Sequence, residues 1–205
     1  MKFAVMGTGQ VGGAIARKLD ELGHDVVMGS RSPGGDSAAR FTRETGIRVA
    51  GHAEAADHGE WIVNALPGEQ AVAVLGQCAI AGKIIVDIAN YDHAVDQPIA
   101  VPLGQAIQAA FPDVRLVKTL NSVSAHLMVD PAALGARHHV FVAGNDEAAR
   151  AEVTALLRTF GWQSILDLGD LGACRAMEQL IPLWMRLEAT FGGPDFNLAV
   201  VRGRG

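Results

Sequence analysis

The sequence predicts an α/β protein, a doubly wound and mostly parallel sheet with a C-terminal helical extension. Three observations carry that prediction. Short apolar runs recur along the chain without alternation, as strands covered on both faces require. The stretches between them have helical spacing, so successive strands are joined by crossovers. Aromatic residues make up only 5% of a chain that is 49% hydrophobic, so Ala, Val, Leu and Gly carry the packing. That composition suits helices layered on a sheet better than an aromatic-rich barrel. At 205 residues the chain is long enough to bury a sizeable core.

The elements follow in order. Phe3 to Met6 reads as a buried strand, and Gln10 to Leu22 as a helix with Val11, Ile15, Leu19 and Leu22 on one face, stopped by Gly23. Asp25 to Met28 is the next strand, and Asp36 or Ser37 can cap a polar helix ending near Gly46. Trp61 to Leu66 is a strand closed by Pro67-Gly68, Ala71 to Leu75 is helical, and Lys83 to Ile88 is again a strand. A helix over Leu103 to Ala110 precedes the strand Val114 to Leu120. His139 to Ala143 is a further strand, Asp146 opens a helix running to about Phe160, and Ser164 to Leu168 forms a last short strand. Leu171 to Phe191 has a long helical pattern, with a kink expected at Pro182 and a stop at Gly192-Gly193-Pro194. Residues 1–168 are expected to form the nucleotide-binding domain, and residues 169–205 an extension packed on it.

Composition excludes several classes of function. The formal charge is −5 with no long run of one sign, so the basic stripe of a nucleic-acid binder is missing. No apolar stretch approaches the ~20 residues of a membrane span. The apolar start, Met1 to Met6, is too short for a signal-peptide core, which leaves the cytoplasm as the expected compartment. Cys78 and Cys174 lie far apart, outside any redox spacing, and are expected as reduced core residues. His138 and His139 project in different directions along a strand without a ligand cluster, so no metal site is expected.

Gly7-Thr8-Gly9-Gln10-Val11-Gly12 is a Gly-x-Gly-x-x-Gly motif between the first strand and the first helix. In that context Gly7 permits the tight turn, Gly9 lets the backbone approach a pyrophosphate, and Gly12 lets helix and strand pack closely. The helix N-terminus offers free N–H groups and a partial positive charge to the phosphates. This is the dinucleotide fingerprint of a Rossmann-type fold. The end of the second strand selects the cofactor. An NAD site carries an acidic residue there, whereas this chain has Ser30-Arg31-Ser32. Arg31 can make a charge-assisted contact with a 2′-phosphate and the two hydroxyls can donate to it, so NADP(H) is expected.

With these residues in place, the chain resembles the coenzyme F420-dependent NADP oxidoreductases, which pass hydride between NADPH and a deazaflavin. The resemblance runs through the glycine motif, Gly29-Ser30-Arg31, Asn64-Ala65-Leu66-Pro67, Val117 to Ala125, Val142 to Asp146 and Leu180 to Trp184. Deazaflavin-using members tend to carry His where this chain has Asn121. The Asn121-Ser122-Val123-Ser124-Ala125 form is more similar to the cytosolic reductase domain of six-transmembrane metalloreductases, which pairs NADPH with a flavin. The resemblance implies an NADPH reductase scaffold whose acceptor is coenzyme F420, a flavin or a similar planar molecule.

Hydride transfer between stacked rings needs contact and alignment more than a strong acid or base. Asn64, Ala65, Leu66 and Pro67 are expected to floor the ribose and pyrophosphate, with Ala89 and Asn90 reaching the nicotinamide ribose. Asn121, Ser122 and Val123 should line the nicotinamide and acceptor pocket, where Asn121 either orients a ligand or caps the following turn. Lys118 is expected in a strand-edge or structural role, and His126, close to the expected pocket, either contacts an acceptor or, as the favoured reading, remains a loop residue. Trp184 and Met185 are expected in the core unless they cover the acceptor or meet a second subunit; a homodimer is the expected assembly. The rival function is a non-catalytic NADP(H)-binding sensor, which would need only the adenosine and phosphate half of the site.

Overall fold

The computed structural model describes residues 1–92 and 100–203. Its sheet has eight strands: β1 (Lys2–Met6), β2 (Asp25–Ser30), β3 (Arg48–Gly51), β4 (Trp61–Asn64), β5 (Ile84–Asp87), β6 (Arg115–Thr119), β7 (Val140–Ala143) and β8 (Ile165–Asp167). They lie in the order β3-β2-β1-β4-β5-β6-β7-β8. All pairs are parallel except β6 with β7, which are antiparallel. The strand order reverses between β1 and β4, and in such sheets the ligand crevice opens there, beyond the carboxyl ends of the strands.

The helices are α1 (Gln10–Glu21), α2 (Asp36–Thr45), α3 (His52–His58), α4 (Gly68–Leu75), α5 (Leu103–Ala110), α6 (Ala125–Val129), α7 (Glu147–Thr159), α8 (Cys174–Glu178) and α9 (Leu180–Phe191). They cover the sheet on both faces. Phe3, Val5, Val63 and Val86 point into one core with Ile15 and Leu19 of α1 and Val153 and Leu157 of α7. Ala4, Met6, Ile62 and Ile85 point into the other with Leu75 of α4 and Ile107 of α5. Burial on both faces explains why β1, β4 and β5 read as unbroken apolar runs. No helix among the described residues is long and apolar enough to cross a membrane.

Several boundaries differ from the sequence expectation. Arg48–Gly51 and His52–His58 form a strand and a helix that local pattern did not place, because β3 is a short edge strand with one buried residue. Gly35, not Asp36 or Ser37, is the N-cap of α2, and no side chain closes that end. Asp146 does cap α7, accepting from Ala149 N–H at 2.9 Å. The long C-terminal pattern breaks at Gln179, between α8 and α9, rather than kinking at Pro182. Pro182 falls in the first turn of α9, where a helix has no intrahelical use for the missing N–H.

Lys118 is not at a strand edge. It lies on β6, between β5 and β7, and is fully buried. Its ammonium meets Asp87 Oδ2 at 3.0 Å and Glu178 Oε1 at 3.2 Å, and donates to the Ala89 carbonyl. Burial opposes charge on this amine, but Asp87 and Glu178 outweigh it and its pKa is raised. Glu178 also accepts from Leu103 and Gly104 N–H, the first residues of α5, at 2.8 and 3.1 Å. Asp87 accepts from Asn64 Nδ2 at 2.8 Å. One ammonium therefore ties β5 and β6 to α8, and through Glu178 to α5. Beside it, burial pushes the Cys174 thiol up to about 12, so that cysteine stays protonated and inert.

Replacing Lys118 by Met removes the cation and strands two buried carboxylates. The expected loss is about 3–5 kcal/mol in urea denaturation, the scale for breaking a buried pair from one side. A loss below about 1 kcal/mol would show that the carboxylates are not held charged in the folded protein.

Candidate functional site

The β1–α1 turn is built on two close approaches. Gly7 has φ +109°, and a Cβ there would sit 2.5 Å from the Ala65 carbonyl oxygen. A Cβ on Gly12 would collide with the Gly7 carbonyl oxygen, so the first turn of α1 can lie against the loop only as glycine. Gly9 faces open space, with nothing within 4 Å of where its Cβ would be. Gly9 is also the N-cap of α1 and no side chain caps that helix, so its leading N–H groups face the cleft.

This turn forms one wall of a cavity of about 880 Å³ beyond the ends of β1, β2 and β4. Thr8, Gly9 and Val11 lie on one side, and Ala65, Leu66 and Pro67 on the other. Ser30, Arg31 and Ser32 close its outer end. Ser30 Oγ accepts from Ser32 N–H at 3.0 Å, which leaves its own O–H free to donate. Arg31 is exposed and makes no ion pair among the described residues. Asn64, expected in the floor, does not line the cavity: its amide bonds Asp87, and its Oδ1 accepts from Leu66 N–H at 3.3 Å. It shapes the floor by holding the turn beneath it.

A second cavity, of about 710 Å³, adjoins the first. Val11, Pro67, Gln70, Ile88 and Asn90 line both, so the two form one continuous cleft. Gln10 at the start of α1, Asn121, Ser122 and Val123 after β6, and Ile181, Trp184 and Met185 of α9 line the second cavity. Ala89, by contrast, lines the first cavity alone. Asn90 and Asn121 are locked together. Asn90 Nδ2 donates to the Asn121 carbonyl at 2.7 Å, and Asn121 Nδ2 donates to Asn90 Oδ1 at 3.1 Å and to the Met177 carbonyl at 2.9 Å. The Asn121 amide thus joins the strand end to α8 rather than capping the next turn. Leu120, just before it, has φ +58°, a strained value for leucine that redirects the chain out of β6.

Several residues around the cleft were missed or misassigned by sequence pattern. His126 is in α6 rather than a loop; it pairs with Asp195 at 2.9 Å and lines the second cavity. Trp184 and Met185 are only half-buried and wall that cavity instead of filling the core. Trp184 packs against Phe196 with ring centroids 5.4 Å apart. Ser124 donates to the Pro194 carbonyl at 2.6 Å, which fixes the chain after α9 to the cavity loop. Tyr91, Glu69 and Glu188 also line this cavity. Burial raises the Tyr91 pKa, and Glu178 and Glu69 raise it further, so its hydroxyl stays protonated. His52 lines the first cavity and went unmarked because β3 was not recognised. His138 and His139 bond the Pro131 carbonyl and Val200 N–H respectively, and no cluster able to hold a metal occurs among the described residues.

Comparison with known proteins gives a consistent family. The profile described as NADP oxidoreductase, coenzyme F420-dependent, matches residues 2–91. A crystal structure from Arthrobacter sp. FB24, provisionally described as an F420-dependent NADP reductase, shares 40% identity at TM-score 0.91, covering 98% of this chain and 100% of that one. The F420-dependent NADP reductase of Methanocaldococcus jannaschii is 23% identical over 93% of this chain and 94% of its own. The human metalloreductase STEAP2 is 30% identical over 93% of this chain, which spans 37% of that longer protein.

Asn121→Ala removes both side-chain bonds that join Asn90 to α8. It is expected to lower stability by about 1–3 kcal/mol in urea denaturation, the cost of leaving buried partners unmet. A change within about 0.3 kcal/mol would mean that the amide does not carry this junction.

Proposed function

The chain belongs to the coenzyme F420-dependent NADP oxidoreductase family, and from that premise we propose that it transfers hydride between NADP(H) lying along the continuous cleft and a planar acceptor, a deazaflavin or flavin ring, in the second cavity. The shared wall of the two cavities carries this reading. A dinucleotide with its phosphates at the β1–α1 turn and its adenosine at Ser30-Arg31-Ser32 reaches the second cavity only past Ile88 and Asn90.

The cleft fits such a group. Gly7 and Gly12 hold the turn back while the space at Gly9 and the uncapped start of α1 remain open to a pyrophosphate. When bound, the nicotinamide supplies the hydride; the protein supplies position. Thr8, Gly9 and Gln10 take the phosphates, and Ala65, Leu66 and Pro67 support the ribose beneath them. Ala89 and Asn90 meet the second ribose. Asn121, Ser122 and Val123 hold the sheet side of the acceptor against Trp184 and Met185, which exclude water. Residues 169–205 act in this reading as an extension that supplies the far wall. Exposed Leu183 and Phe191 on α9 support assembly as a homodimer. A sensor of the cofactor alone would not use the second cavity, which favours the enzyme.

The purified protein, given NADPH with coenzyme F420, FAD, FMN or no acceptor, is expected to oxidise NADPH rapidly with at least one acceptor and slowly without any. Tight NADPH binding with no turnover on any of them would return the reading to a sensor. Arg31→Ala should weaken NADPH binding by about 1.5–3 kcal/mol, the scale of one charged hydrogen bond, and leave NADH binding nearly unchanged. Equal NADPH dissociation constants for the two proteins would remove Arg31 from the site.

A further inference from the structure

His52 is the first residue of α3, directly after β3, and stands beside the turn that ends β2. Gly29 pairs with Ala50 and Ser30 with Gly51 in the β2–β3 ladder, so the residue following Gly51 emerges next to Ser30-Arg31-Ser32. A Cβ at Gly29 would lie 3.2 Å from His52 Cδ2 and 2.6 Å from Met6 Sδ, so glycine at that position is what lets the imidazole lie across the strand end. The ring is half-buried and lines the same cavity as Ser30, Arg31 and Ser32. Neither of its nitrogens is hydrogen-bonded among the described residues, whereas His138 and His139 are both engaged.

We propose that His52 is part of the phosphate-reading pocket, donating an imidazole N–H to the 2′-phosphate and so helping to discriminate NADP(H) from NAD(H). This rests on the cofactor reading above and adds to it a residue and a dependence on pH. Arg31 and Asp36 are the charged residues that share its cavity, and Arg31 is the one whose charge acts on the ring. Arg48 and Glu54, on β3 and α3, are paired with each other. Asp25 of β2 pairs with His58 at the opposite end of α3, and β1 presents only apolar side chains on its buried length. In the free protein burial, followed by Arg31, lowers the His52 pKa and keeps the ring neutral. A phosphate dianion placed between Arg31 and His52 reverses the second of these effects and raises the bound-state pKa. Binding of the phosphorylated cofactor then takes up a proton, so its affinity rises as pH falls through the bound-state pKa and levels off below the free-state one. NAD(H) brings no phosphate to this position and takes up no proton there.

The test compares dissociation constants for NADPH and NADH in wild type and His52→Gln, at about pH 6.5 and about pH 8. The phosphate's own ionisation, near about pH 6, acts alike on both proteins and cancels in the comparison. The wild-type preference for NADPH is expected to grow about threefold or more on acidification, and the growth to vanish in the Gln variant, whose preference is about three- to tenfold smaller at the lower pH. On the unaltered protein at about pH 7.5, where the free phosphates are already mostly dianions, calorimetry in buffers of different ionisation heat should show proton uptake with 2′,5′-ADP and none with 5′-AMP. NADPH binding with no uptake and an identical pH profile in both proteins overturns the role of His52 and leaves the cofactor reading standing. Failure of wild type to bind NADPH or 2′,5′-ADP at all overturns both.

Discussion

One buried ammonium group organises the side of the molecule that carries the second cavity. Lys118 Nζ lies on the sheet face covered by α5 and α8, inaccessible to water, and is tolerated there only because Asp87 and Glu178 converge on it. Each carboxylate in turn fixes a different element. Asp87 sets the Asn64 amide and the bend after β5, while Glu178 anchors α8 to the start of α5. Because Met177, next to Glu178, receives the Asn121 amide, the loop after β6 is registered against α8 by the same arrangement. The second cavity stands on that registration.

The two ends of the cleft are built by different means. At the β1–α1 turn the cleft is lined by backbone: a turn that tolerates only glycine at two positions, and a helix start left without a side-chain cap. In the second cavity the lining is side chains, Asn90 and Asn121 among them from the loops after β5 and β6 and Trp184 and Met185 from α9. A backbone site is largely indifferent to substitution elsewhere, whereas a side-chain wall can change with its residues while the fold persists. Such a division suits a scaffold whose relatives include proteins named for a deazaflavin and proteins named for metal reduction.

The sequence made the first half of this legible for a physical reason. A Gly-x-Gly-x-x-Gly turn is a local requirement, met by residues adjacent in the chain, and unbroken apolar strands reveal a sheet covered on both faces. What stayed hidden depends on distant partners. β3 is a four-residue edge strand with little apolar signal, so His52 had no frame of reference. The buried role of Lys118 requires Glu178 from sixty residues away, and a lysine in an apolar run cannot announce its counter-ions. Pro182 invited a kink, but the break came at Gln179, where α8 must turn after engaging Lys118 and Asn121. Trp184 read as core because amphipathic spacing does not distinguish a face turned to protein from one turned to a cavity.

The central claim is that hydride passes directly between the nicotinamide and a ring held in the adjoining cavity. It is tested most directly with NADPH carrying deuterium at the nicotinamide C4, prepared separately for each face, and a deazaflavin whose reduced carbon does not exchange with water. One labelled form is expected to deliver its deuterium to the reduced deazaflavin and the other to retain it in NADP, as a single fixed stacking geometry demands. Label lost to solvent, or delivered equally from both faces, would contradict the account.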